Sequence, residues 1–118
     1  MKVTVVIPAL NPDEKLIHLV EALRAAGCCD IVIVDDGSVK DSQPVFDRLE
    51  NDYGRAVGRH AKNLGKGEAV KTGIRLALSR FPQTAGIVTA DADGQHLAAD
   101  IIRVAGEVEA HPDKLTLG

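Results

Sequence analysis

Asp91 and Asp93 flank a single alanine directly after an apolar run, and Gln95 and His96 follow Gly94. Alternate residues at the fraying end of a strand point the same way, so the two carboxylates can converge on one point. Carboxylates held that close repel each other unless a cation sits between them, and hard oxygen ligands suit Mg²⁺ or Mn²⁺. Gln95 can add a neutral ligand or hold a metal-bound water. Taken alone, the same string reads equally well as a solvated acidic turn. An EF-hand does not fit, because the glycine falls at the fourth loop position and Ile102, not glutamate, stands at the twelfth.

Two further stretches have chemical potential. Asp35 and Asp36 end an apolar run and are followed by Gly37 and Ser38. A carboxylate there can accept ring N–H bonds from a nucleobase, or simply cap a helix or strand end, which is the better reading for Asp35 alone. Residues 63–67, Asn-Leu-Gly-Lys-Gly, open a helical pattern. Glycines let backbone approach a phosphate, a helix N-terminus favours negative charge, and Lys66 adds a cation. This is no P-loop, since Gly58 lies too far upstream and Gly67 stands where Ser or Thr is required.

These residues need a frame. Residues 3–8 and 30–34 are short, β-branched and apolar throughout, as strands buried on both faces are. A weaker strand is expected at 56–59 and a fourth strand at 86–90. Helical spacing of apolar residues predicts helices over 13–26, after Asp41 or Ser42 with Pro44 in the first turn, after the loop 61–66 to Pro82, and over 98–110. Four β-α units in succession predict an α/β fold with a parallel sheet. Ligands in such sheets bind outside the carboxyl ends of the strands, and all the chemically suggestive stretches fall in those four loops.

Composition agrees with one ordinary globular domain: 118 residues, 45% hydrophobic, 26% charged, net charge −3. No basic patch and few aromatics (3%) argue against a nucleic-acid partner. The apolar runs are too short to span a bilayer, and the N-terminus lacks the flanks of a signal peptide. Cys28 and Cys29 are adjacent, a spacing that suits neither a metal pair nor a mutual bridge, so reduced thiols are expected.

In order and spacing, residues 5–11 (VVIPALN), 33–38 (IVDDGS), 63–67 (NLGKG) and 91–96 (DADGQH) resemble the successive motifs of family-2 glycosyltransferases, most closely those of polyprenyl-phosphate sugar transferases. The resemblance implies the Rossmann-like nucleotide-binding half of a GT-A fold and metal-dependent, usually inverting, transfer from a UDP- or GDP-sugar. It implies that Pro8, Ala9, Leu10 and Asn11 line the nucleoside pocket, that Asp36 meets the base, and that Lys66 lies near base or phosphates. Asp91 is implied near ribose, diphosphate and metal, with Asp93 and Gln95 as metal ligands. The implied acceptor is a polyprenyl phosphate or cell-envelope glycan, and the implied location cytoplasmic, at the inner face of the membrane for a full-length enzyme.

Two departures accompany the likeness. Leu10 stands where an aromatic is frequent, and Pro12 follows Asn11 where an acid is usual, leaving Asp13 or Glu14 to supply one. Family members also continue into an acceptor site that often holds a catalytic carboxylate. Residues 1–118 are therefore expected to be the donor-binding part of a truncated enzyme, able to bind donor and metal but not to transfer. Truncation would leave an apolar edge or face open to self-association.

Two rival classes fit less well. A sugar nucleotidyltransferase would carry a glycine- and arginine-rich loop after the first strand, absent from residues 9–14. A receiver-type Mg²⁺-binding regulatory domain would need its phosphoacceptor at a middle strand end, where Arg59 and His60 stand. His60 and His96 read as structural or solvated, His18 and His111 as surface residues, and Tyr53 and the two phenylalanines as packing.

Overall fold

The computed structural model describes residues 3–27, 30–92, 98–110 and 116–117. The chain alternates β1 (Val3–Ala9), α1 (Glu14–Ala25), β2 (Asp30–Asp35), a 3₁₀ turn (Lys40–Ser42), α2 (Gln43–Asn51), β3 (Ala56–Arg59), α3 (Lys66–Arg80), β4 (Gly86–Thr89), α4 (Ala98–Ala110) and β5 (Thr116–Leu117). All strand pairs are parallel, in the order β3-β2-β1-β4-β5. The four expected β-α units are present. The two-residue β5 was not foreseen, because so short an edge strand leaves no periodicity to read.

Period-two alternation divides β1 and β2 between two cores. Val3, Val5, Ile7, Ile31 and Ile33 face α1, α2 and α4 and pack on Leu16, Val20, Leu23, Phe46, Leu49, Ile101 and Ala105. Val6 and Val32 face the opposite way, toward Ala77 and Ile74 of α3. The result is a sheet covered on both faces, as unbroken apolar strands require. Tyr53 and both phenylalanines pack against these cores.

Local signals set the helix boundaries. The Asp13 carboxylate caps α1 by accepting the Lys15 N–H at 2.9 Å. Pro44 occupies the first turn of α2, where its missing N–H is harmless. Helix α3 begins at Lys66, so the lysine expected at the end of the preceding loop is instead its first residue. Its buried stripe is Ala69, Gly73 and Ala77 rather than its larger residues, and Leu78 is exposed. Small residues at this spacing bring the helix axis close to the sheet.

Strand order reverses beside β1: β2 lies on one side and β4 on the other, the topological switch point of the sheet. β4 pairs with β1 only as far as Val6, and the last bond on that side runs from the Ala90 N–H to the Val6 carbonyl. Pro8 has the same strand parity as Val6, so its missing N–H falls on the side where β4 has already ended. A proline in an interior strand is tolerated there, and a crevice opens between the two strand ends. Among the described residues no helix is long and apolar enough to cross a membrane.

Candidate functional site

The crevice is a groove with two connected parts. One, of about 420 Å³, is lined by Pro8, Ala9, Leu10, Asn11, Asp13, Lys15, Lys66 and Asp91, among others. The other, of about 360 Å³, shares Pro8, Ala9, Leu10, Lys66 and Asp91 and adds Asp36, Asn63 and Gly65. Volumes of this size are typical of small-molecule sites. Every described residue expected at a sugar-nucleotide site therefore borders one groove: Pro8, Ala9, Leu10, Asn11, Asp36, Lys66 and Asp91. Asp93, Gln95 and His96 lie outside the described residues, as do Cys28, Cys29 and His111.

Asp36 anchors one wall. It is buried, and its Oδ1 accepts the Leu64 N–H at 3.0 Å while Oδ2 accepts the Gly65 N–H at 3.1 Å. His60 Nδ1 lies 2.9 Å from Oδ1. Burial alone would raise the carboxyl pKa, but the bonds from Leu64, His60 and Gly65, with the His60 charge, bring it below the ordinary value. An ionised Asp36 accepts, so Nδ1 carries the proton. A carboxylate has about four lone-pair positions, and these three bonds leave one on Oδ2.

The loop over residues 60–65 is thus latched to the end of β2, and Gly37 makes the fit possible. Gly37 has φ +76°, and a Cβ placed on it would lie 2.2 Å from Asn63 N. Asp35 does a different job. Its Oδ1 accepts the Ser38 N–H at 2.8 Å and its Oδ2 the Gln43 amide at 2.9 Å, the strand-end cap anticipated for it.

A second clasp joins the first two loops. Asn11, at φ +50°, accepts the Val39 N–H on its side-chain oxygen at 2.8 Å, and its own N–H donates to Ser38 Oγ at 2.9 Å. Of the two acids left to follow Asn11, Asp13 borders the groove, whereas Glu14 turns away to Arg48 at 2.6 Å.

At the centre, Lys66 Nζ donates to Asp91 Oδ1 at 2.6 Å, joining the start of α3 to the end of β4. Asp91 is the one described member of the expected metal set. Among the described residues no three His, Cys, Asp or Glu side chains cluster as a metal site. The described part nevertheless suits a hard cation: a partly exposed carboxylate at a strand end, opening on a groove and already drawing a positive charge.

Sequence reasoning did not select Lys15 or Thr72. Lys15 borders the groove, and Thr72 Oγ1 lies 2.7 Å from His60 Nε2. Lys15 sits in the first turn of a capped helix, and Thr72 within a helical run, where neither stands out by type or spacing.

Comparison with known proteins accords with this geometry. Residues 4–118 match the family model described as Glycosyl transferase family 2, and the chain belongs to that family. An uncharacterised protein of Methanocaldococcus jannaschii is 37% identical over 103 residues, 87% of this chain and 40% of that protein. The UDP-N-acetylglucosamine–dolichyl-phosphate N-acetylglucosaminyltransferase of Methanococcus voltae is 31% identical over 112 residues, 84% of this chain and 44% of the relative. This chain thus spans less than half the length of these curated relatives. The crystal structure of S. aureus TarS superposes with a TM-score of 0.68 at 19% identity, covering 94% of this chain and 20% of that one. At that identity the likeness bears on the fold, and the parallel α/β sheet matches the GT-A glycosyltransferase fold.

Proposed function

We propose that the chain is the donor-binding part of a glycosyltransferase that takes a sugar from a UDP- or GDP-sugar, with the nucleotide lying in the groove between β1 and β4. The observation that carries this reading is the convergence of Asp36, Lys66 and Asp91 on one groove at the switch point of the sheet. Membership of glycosyl transferase family 2 supports it.

Each residue has a role set by its place. The base lies against Pro8, Ala9 and Leu10, and a ring N–H takes the acceptor position that Asp36 keeps on Oδ2. Asn11 holds this wall in register through Ser38 and Val39. Lys66 and Lys15 offer positive charge to the diphosphate. Asp91, Asp93 and Gln95 would hold Mg²⁺ or Mn²⁺, which supplies Lewis-acid stabilisation of the charge on the departing nucleoside diphosphate. A polyprenyl phosphate is the proposed acceptor, supported by the dolichyl-phosphate substrate in the name of the M. voltae relative. Such an acceptor is already anionic near neutral pH, so a strong general base is less necessary than for a sugar hydroxyl.

Calorimetric titration of UDP, GDP and their sugar conjugates, with and without Mn²⁺, tests the reading. The expected result is Mn²⁺-dependent binding of one base series, lost in Asp91→Ala. Tight binding that ignores both Mn²⁺ and Asp91 would remove the donor-site assignment.

A further inference from the structure

We propose that Lys66 is a resident counter-ion for Asp91, holding back metal binding until a diphosphate draws the ammonium away. Nucleotide and metal then bind as a coupled pair. The inference rests on the donor-site reading above and adds the order in which its charges meet.

The geometry supports a hand-over. Lys66 Nζ sits 2.6 Å from Asp91 Oδ1, so a divalent cation approaching that oxygen meets a positive charge already bonded to it. The backbone under Lys66 is fixed, because the preceding Gly65 (φ +99°) is bonded to Asp36 Oδ2. The side chain beyond is not fixed in the same way: Lys66 is 64% exposed and Asp91 30%. An ion pair that open shifts an equilibrium by at most about fivefold, weak enough to exchange when a better partner arrives.

Lys66 borders both parts of the groove, so its flexible stem can reach an anion in either without backbone movement. A diphosphate entering the groove gives the ammonium new oxygen partners and takes its charge away from Asp91 Oδ1 in the same event. Lys15 and Asp13 border the groove as well. Lys15 keeps a cation beside the phosphates when Lys66 is altered, so a Lys66 variant still binds nucleotide measurably. Coupling of this kind is reciprocal: whatever factor nucleotide adds to metal affinity, metal adds to nucleotide affinity.

The test is Mn²⁺ binding, followed by the loss of the free-ion electron paramagnetic resonance signal. Wild type, Lys66→Met and Lys66→Arg are titrated first with Mn²⁺ alone, then with saturating UDP or GDP, whichever the wild type binds. Circular dichroism confirms that each is folded. For Lys66→Met, affinity for Mn²⁺ alone should rise about twofold to fivefold, and the enhancement by nucleotide should fall by at least the same factor. Lys66→Arg, which keeps a cation beside Asp91, should show no such rise in affinity for Mn²⁺ alone. If either change is missing in Lys66→Met while the wild type shows Mn²⁺-dependent nucleotide binding, the counter-ion role is overturned and the donor site stands. A wild type that binds neither ligand removes both.

Discussion

His60 is bonded through both ring nitrogens, Nδ1 to Asp36 Oδ1 at 2.9 Å and Nε2 to Thr72 Oγ1 at 2.7 Å, and so ties the end of β2 to the body of α3. The side chain is nearly buried, and its loss leaves a buried carboxylate short of one donor. Such an omission costs about 1–3 kcal/mol. His60→Ala should therefore lower stability in urea by about that amount and weaken nucleotide binding through the loosened 60–65 loop. Thr72→Val removes only the outer bond and should cost about 1 kcal/mol. Equal stability of His60→Ala and wild type would show that Asp36 does not depend on the ring.

The depressed pKa of Asp36 makes a pH prediction whose sign is fixed. A carboxyl titrating lower in the folded chain than in the unfolded chain stabilises the fold fully above the unfolded value, here near 3.8. That stability is lost as pH falls from there through the lower folded value. Urea unfolding of the wild type should thus weaken in acid, and the stability gap to Asp36→Asn should shrink as pH falls below about 4. A gap that widens on acidification would show that the bonds from Leu64, Gly65 and His60 do not favour the ionised form.

Asn11 separates two effects in one residue, a left-handed backbone and a side-chain bond to the next loop. At φ +50° an alanine is strained by about 1 kcal/mol or more, and both Asn11→Ala and Asn11→Gly lose the bond to the Val39 N–H. Glycine keeps the conformation at no steric cost. Thermal unfolding should rank wild type above Asn11→Gly and Asn11→Gly above Asn11→Ala, with nucleotide affinity in the same order. Glycine below alanine would show that chain entropy outweighs the backbone strain.

Much of this was legible in the sequence because each signal was local. The apolar runs at residues 3–8 and 30–34, Gly27 after α1 and Pro44 at the start of α2 each report on their own segment. The four loops could be placed on one sheet edge because parallel β-α units leave them nowhere else to go. Long-range partnerships were not legible. Nothing in the types or spacing of Asp36, His60 and Thr72 says that three separate elements meet in one hydrogen-bonded chain. Nor does sequence show that both Asp36 oxygens are engaged by its own chain, so that a base contact is confined to one remaining position. Helix α3 shows the same limit: helical spacing marked Ala69, Gly73 and Ala77 on its apolar face together with Val70, Ile74 and Leu78, but not that the three small residues alone are fully buried while Leu78 is exposed.

Gly73 is where the contact of α3 with the sheet is tightest. A Cβ built there lies 2.3 Å from Val6 Cγ1 and 3.2 Å from Val34 Cγ2, so Gly73→Ala cannot be accommodated without moving α3 or the sheet. Overpacking of this kind costs about 1–3 kcal/mol. Because α3 also carries Lys66 at its first turn, displacement of the helix should disturb the Lys66–Asp91 bond and weaken nucleotide binding as well as stability. Val6→Ala removes the nearest offending methyl, at the price of a small cavity when made alone. The double variant should recover stability relative to the sum of the singles, with a coupling energy of about 1 kcal/mol or more. Strict additivity in urea unfolding would show that α3 relaxes along its own axis instead, and that the close approach at Gly73 is not what sets its distance from the sheet.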